Sequence, residues 1–389
     1  MQHDYDNELN RIVDSLNRAV GGGPREKPEA ASTASANPGS ANPGSMDALL
    51  SQAAKEHASD LLLVAGAPIA IRVMGRIAYL GSPALSVTQV RNLVLPLLDE
   101  RQQQELHKNR TLDFRFARPN IGRCRANLHY QRGSIAASIR VLPSEVPTIE
   151  SLNLPPSLAR YAEPRQGLVL VTGPTGCGKS STLAALINLI NQKRRDHIVT
   201  IEDPIEFEHP NRNSIVEQIE VGYDAPDFAS GLRSILRQSP DVILVGEIRD
   251  NETMSTVLTA AETGHLVFST LHTNDTAQSL SRILDSFPSA NQAQIRQQLS
   301  LSLLAVIAQQ LVPSPDGRTR YPAVEVMVAT DAIRNLIRKG EDHQLRSQLT
   351  MGRAHGMITM EQSLAELVRV GRIQRDTALA HCFRSDDLR

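Results

Sequence analysis

Apolar positions along the chain change their spacing at identifiable points. Leu9, Ile12, Val13, Leu16 and Val20 fall on one helical face, and "GGGP" then ends that pattern. Residues 21–45 are Gly, Pro, Ala, Ser and Asn with a tandem "SANPGSANPGS", a composition with nothing to bury, which predicts a flexible linker. Residues 1–45 thus read as a tethered amphipathic helix plus linker, either a docking helix or a weakly ordered tail. From Met46 the chain becomes globular: "MDALLSQAAKEHASD" predicts a helix and "LLLVAGAPIAIRVMGRIAYL" two strands. A helix over about 86–107 and alternating strands at 111–116, 121–130 and 134–142 complete a small α+β unit, residues 46–145. After the connection "VPTIESLNLPPSLARYAEPRQG", strands alternate with helices from 167 onward, the pattern of a parallel sheet covered on both faces, in a domain over residues 146–389. The strand candidates there are 168–172, 198–202, 242–246 and 266–271.

In such sheets ligands sit beyond the carboxyl ends of the strands, so the residues after each strand carry the functional reading. After the first comes "GPTGCGKSS", Gly173 to Ser181, with the G-x-x-x-x-G-K-S spacing of a phosphate-binding loop. Its glycines let the backbone of Gly173, Pro174, Thr175, Gly176, Cys177 and Gly178 curl until several N–H groups point inward at an anion. Lys179 is placed to reach β- and γ-phosphates, Ser180 to hold Mg²⁺, and Ser181 continues into the helix. After the second strand, "EDPIE" offers Glu202, Asp203 and Glu206 around Pro204, and a carboxylate there can orient and deprotonate a water. "DVILVGE" carries Asp241 and Glu247 at opposite strand ends; strand direction selects Glu247 as the Mg²⁺ acid. "GHLVFSTLHT" brackets the fourth strand with His265 and His272; His272 follows it, near a γ-phosphate position, and His265 reads as structural from geometry. In the small unit, "GRCRANLHYQRGSIAASIR" presents Arg123, Arg125, Arg132 and Arg140, either a solvated basic face or arginines reaching a neighbouring subunit's nucleotide.

Composition narrows the classes. A formal net charge of −1 gives no global field favouring nucleic acid or an anionic membrane. No Trp and 3% aromatic residues weaken any base-stacking platform, so no direct nucleic-acid partner is expected. Three separated cysteines form no C-x-x-C pair, which argues for a reducing compartment and against structural zinc. No apolar run approaches a membrane span and the start lacks signal-peptide features, so a cytosolic protein that docks on a membrane complex is expected.

"GPTGCGKSSTLAAL", "HIVTIEDPIEF", "RQSPDVILVGEIRD" and "AAETGHLVFSTLHT" resemble the phosphate loop, acidic box, Mg²⁺ box and histidine box of secretion ATPases. "ASDLLL", "GRCRANLHYQR" and "AIRNLIRKG" are similar to the type IV pilus retraction ATPases, the PilT and PilU group. The resemblance implies an α/β, RecA-like phosphate-loop ATPase domain preceded by a PAS-like domain, assembled as a hexamer. It implies ATP and Mg²⁺ as ligands, an inner-membrane pilus platform protein and a paralogous ATPase as partners, and a cytoplasmic location at the inner membrane. It makes Glu206 the general base, Glu247 the Mg²⁺ acid, His265 and His272 the histidine box, and Arg125 and Arg140 the arginines that cross a subunit boundary. Three positions depart from the pattern: Leu62 replaces a His, Cys177 a Ser, and residues 1–45 are an extension. An accessory ATPase beside a second motor, or an assembly or type II secretion motor, are the competing readings; the latter usually carry a tetracysteine zinc insert, absent here.

Overall fold

The computed structural model describes residues 44–56, 58–73, 75–119, 121–143, 145–384 and 388. The expected amphipathic helix and nearly all of the linker lie outside the described residues. The fold is mixed α/β, built on two sheets.

The first sheet is six-stranded and antiparallel, in the order β3-β2-β1-β6-β5-β4. Its strands are β1 (Asp60–Leu63), β2 (Ala70–Val73), β3 (Arg76–Tyr79), β4 (Thr111–Arg118), β5 (Gly122–Gln131) and β6 (Ser134–Val141). Helices α1 (Met46–Lys55), α2 (Val87–Val94) and α3 (Glu100–Asn109) share its apolar core, where Leu50, Val90 and Leu106 meet Leu61, Leu63, Leu128 and Ile139. Two expectations need correction. The stretch expected as two strands holds three, because the turn containing Gly75, at φ +80°, folds β3 back on β2. The helix expected over 86–107 is two helices: Pro96 lies in a 3₁₀ turn over Leu95–Leu97, and Asp99 starts α3 with a capping box to Gln102.

The second sheet has seven strands in the order β13-β12-β7-β11-β10-β8-β9. These are β7 (Gly167–Thr172), β8 (His197–Glu202), β9 (Ile215–Glu220), β10 (Val242–Val245), β11 (Leu266–Leu271), β12 (Leu303–Pro313) and β13 (Arg320–Val328). β7 to β12 are mutually parallel where they pair, and β13 runs antiparallel on β12. Only β7, β8, β10 and β11 were expected. Alternating side chains supply two cores. Leu168, Leu170, Ile243 and Val245 pack with α5 (Phe228–Ile235), α6 (Asn251–Glu262) and α7 (Thr276–Asp285). Val169, Val171, Val242 and Leu244 pack with α4 (Lys179–Lys193) on the other face. Asp227, Asp250 and Asp275 start α5, α6 and α7 by accepting an N–H from the first turn. The remaining helices are α8 (Ser289–Ser302), α9 (Asp331–Lys339), α10 (Leu345–Met351), α11 (Met360–Arg369) and α12 (Arg375–His381).

Charged residues join the two sheets. Arg115 on β4 pairs with buried Glu220 at the end of β9, and its guanidinium lies 3.9 Å over the Tyr223 ring. Glu220 also accepts the Ile205 N–H at 3.1 Å. Arg123 on β5 reaches Glu208 at 3.3 Å. Removing one member of a buried pair leaves a desolvated charge, which costs about 3 kcal/mol. Arg115→Met should therefore lower stability by about 2–4 kcal/mol in urea unfolding. An unchanged midpoint would show that the pair does not hold the sheets together.

Candidate nucleotide site

The parallel register sets the site. Thr172 ends β7 level with Leu271 of β11 and Ala308 of β12, while Val245 of β10 is level with Ile201 of β8 and Ser269 of β11. Gly173, His272, Glu202 and Glu247 therefore emerge at the same sheet edge.

Gly173 sits at φ +141°, and a Cβ there would meet the Gln309 carbonyl oxygen at 2.3 Å, so no other residue fits. Gly178 enters α4 in the left-handed region. Among the described residues, the N–H groups of Thr175, Gly176 and Gly178 make no hydrogen bond, and those of Lys179, Ser180 and Ser181 belong to the first helical turn. These N–H groups are donors of the kind an anionic phosphate takes. Ser180 is exposed at the mouth of the loop.

Lys179 is buried, and its Nζ donates to Gly173 O at 2.8 Å and Pro174 O at 3.2 Å, with His272 Nδ1 at 3.5 Å. Burial lowers its pKa, opposed by the nearby charges of Cys177, Glu247 and Glu206. On its other side, His272 Nε2 lies 3.0 Å from Glu247 Oε2. An ammonium can only donate, so in this chain of contacts His272 Nδ1 faces a donor and Nε2 faces the Glu247 acceptor. Glu247 is also paired with Arg249, which reaches Asp203 at 3.2 Å. Gly246 makes this approach possible: a Cβ there would lie 3.3 Å from Glu202 Cα.

Glu202 accepts from Thr200 Oγ1 at 2.6 Å and from Gln218 Nε2 at 3.2 Å. Burial raises its carboxyl pKa to about 7, against those two bonds and with a small push from Glu206 and Glu220. Glu206 is half-buried and makes no hydrogen bond or ion pair among the described residues, leaving both oxygens open. The Asp203–Pro204 peptide between them is cis. Ser180 offers an exposed hydroxyl and Glu247 a carboxylate already paired with Arg249 and His272, both of them oxygen donors of the kind a hard ion such as Mg²⁺ takes.

The model of the type II/IV secretion system protein family matches residues 46–378. The chain belongs to that family. This secretion-family chain is 41% identical to the type IV pilus ATPase PilU of Pseudomonas aeruginosa, covering 88% of this chain and 89% of that one. It is 44% identical to the type IV pilus retraction ATPase PilT of the same organism, over 85% of this chain and 96% of that one. A crystal structure of the pilus retraction motor PilT with bound ADP matches with a TM-score of 0.80 at 44% identity, covering 87% of this chain and 97% of that one.

Other residues singled out in the sequence of this secretion-family protein lie elsewhere. His265 precedes β11; its Nδ1 lies 2.9 Å from Ala260 O, at the sheet edge opposite the phosphate loop. Arg140, exposed, is bonded to Asp60 at 3.0 Å. Arg125, half-buried and with no ion pair among the described residues, lines a cavity of about 170 Å³ with Arg115, Asp203, Glu220 and Tyr223. Neither arginine bonds its own phosphate loop. Burial pushes the Cys177 thiol pKa up despite Lys179, so its place in the loop is that of a small packed side chain. Arg249, Gln218 and Gln309 were not singled out; Arg249 alone had a local signal, inside "GEIRD".

A carboxyl whose pKa rises on folding favours the folded state below the ordinary carboxylate range, and that contribution is lost as pH rises through about 7. Glu202→Gln removes the titration. Between pH 5 and 8 the variant should gain about 1–3 kcal/mol relative to the parent in denaturant unfolding. Parallel pH profiles would mean Glu202 is ionised throughout.

Proposed function

We propose that the chain is the ATP-hydrolysing subunit of a hexameric ring motor that powers type IV pilus retraction from the cytoplasmic face of the inner membrane. The observation that carries this reading is the continuous contact from the phosphate loop through Lys179 and His272 to Glu247, with Glu206 open at the same edge. In this reading the seven-stranded sheet is a RecA-like domain, residues 146–389, and residues 46–145 form a PAS-like domain. Gly173 to Ser181 hold the phosphates, Lys179 neutralises the β and γ groups, and Ser180 and Glu247 hold Mg²⁺. Glu206 takes the proton from the attacking water, with Glu202 as the second acid at that edge. His272 is placed to report the γ-phosphate to Glu247. His265 faces the opposite edge, so any role at a nucleotide would be at another subunit's. The platform protein in the membrane and a paralogous ATPase are the proposed partners.

ATP turnover should separate into two parts. Lys179→Ala should weaken ATP binding by about 100-fold and abolish phosphate release, because its charge is matched to phosphate. Glu206→Gln should bind ATP normally but hydrolyse it about 10²–10³-fold more slowly, since an amide orients water and cannot accept its proton. Near-normal release by Glu206→Gln would move the base to Glu202. In cells, deletion should leave surface pili abundant and twitching absent; loss of pili would instead overturn retraction. Retained twitching would favour the accessory reading, which is supported by the likeness to PilU over 88% of this chain.

Arg125 and Arg140 are proposed to act at a neighbour's nucleotide. Rings of Arg140→Ala alone and of Lys179→Ala alone should be nearly inactive. Mixing them, with subunit exchange verified by fluorescence transfer, should restore measurable turnover at interfaces that pair an intact loop with an intact arginine. No recovery would confine Arg140 to its bond with Asp60.

A further inference from the structure

Gln309 lies in β12, beside Ala308, which is level with Thr172 at the start of the loop. It is 2% exposed. Its Nε2 donates to Cys177 O at 2.7 Å, and its Oε1 accepts from Thr182 Oγ1 at 2.7 Å. Cys177 and Thr182 flank Lys179 and Ser180 in sequence. The backbone oxygen of Gln309 closes the space at Gly173, and its Nε2 lies 2.9 Å from where a Gly178 Cβ would be. One residue of the neighbouring strand, distant only in sequence, thus lies against the entry, middle and exit of the loop.

We propose that Gln309 is a positioning residue for the phosphate-binding loop, holding Cys177 and Thr182 so that the N–H groups between them face the ligand. The reason is peptide geometry. A trans peptide places its C=O and N–H on opposite sides. Tying the Cys177 carbonyl to β12 therefore turns the Gly178 N–H away from β12, toward the open side of the loop. That N–H makes no hydrogen bond among the described residues. A flipped carboxamide would oppose its oxygen to the Cys177 carbonyl, which can only accept, so that carbonyl fixes its orientation and leaves Oε1 to accept from the Thr182 hydroxyl. Thr182 in turn spends its hydroxyl proton on Gln309. The neighbouring Gln310 contacts His381 of α12, with Oε1 3.2 Å from Nδ1, so the same stretch of β12 touches the phosphate loop and the C-terminal helix.

The inference rests on the nucleotide reading of the loop, and its test has one arm independent of it. Gln309→Met keeps the volume and removes both bonds; Gln309→Glu keeps the acceptor and removes the donor. Fluorescent ADP and ATP titration of the full chain should show affinity reduced about tenfold or more in Gln309→Met and at least as much in Gln309→Glu. KM for ATP should rise in parallel, with kcat at saturation within about threefold. Thr182→Val should shift affinity in the same direction and Thr182→Ser should restore it. The Gln309→Met, Thr182→Val double variant should be no worse than Gln309→Met alone, as expected for two partners of one contact. Without nucleotide, hydrogen exchange in a peptide spanning 173–183 should accelerate in Gln309→Met while the rest of the seven-stranded sheet stays protected. Normal affinity with unchanged exchange in Gln309→Met, normal affinity in Gln309→Glu, or exchange rising across the whole sheet would overturn the proposal. Failure of the parent chain to bind nucleotide would overturn the functional reading instead, and the exchange arm would still decide the role of Gln309.

Discussion

A buried ammonium has to be satisfied on every side, and Lys179 organises the sheet edge around that requirement. Its donors are taken by two loop carbonyls and an imidazole. Burial alone would push it toward neutrality; the carboxylates of Glu247 and Glu206 oppose that and favour the charged form. The loop must therefore fold so that Gly173 and Pro174 turn their carbonyls inward, and β10 and β11 must end where Glu247 and His272 can close the circuit. A parallel sheet supplies this without special pleading, because every strand delivers its last residue to one edge. The glycines at 173 and 246 are the local consequence: at 173 the Gln309 backbone leaves no room for a Cβ, and at 246 the Glu202 backbone leaves little.

The same edge separates two acids by environment. Glu202 is enclosed, held by Thr200 and Gln218, and its proton is retained toward neutral pH. Glu206, four residues on, makes no hydrogen bond or ion pair among the described residues, and its charge acts on Lys179. The turn between them thus offers one carboxyl held by two hydrogen bonds and one that makes none among the described residues.

What could be read from the sequence follows from which constraints are local. β7, β8, β10 and β11 are buried on both faces and therefore nearly continuous apolar runs, and each is followed by polar residues, so both strands and strand ends were legible. β9 is an edge strand with alternating exposure and reads as ordinary surface. β12 follows α8 with no Gly or Pro between Ser302 and Leu303, so a helical run passes into a strand without punctuation. Missing β12 hid Gln309, whose partners are more than a hundred residues away in sequence. Pro96 was a local signal for the break between α2 and α3, and helical spacing on both sides masked it. Arg125 and Arg140 were legible as a basic pair; where their guanidinium groups go depends on Asp60 and on the cavity between the sheets, which no local pattern records.

Glu220 accepts from two directions at once: the guanidinium of Arg115 in the antiparallel sheet and the Ile205 amide, directly after the cis-proline turn that carries Asp203. A single carboxylate is therefore a pivot shared by the small sheet, the end of β9 and the acidic turn. A change at Glu220 is therefore felt in three places at once: the small sheet, the end of β9 and the acidic turn.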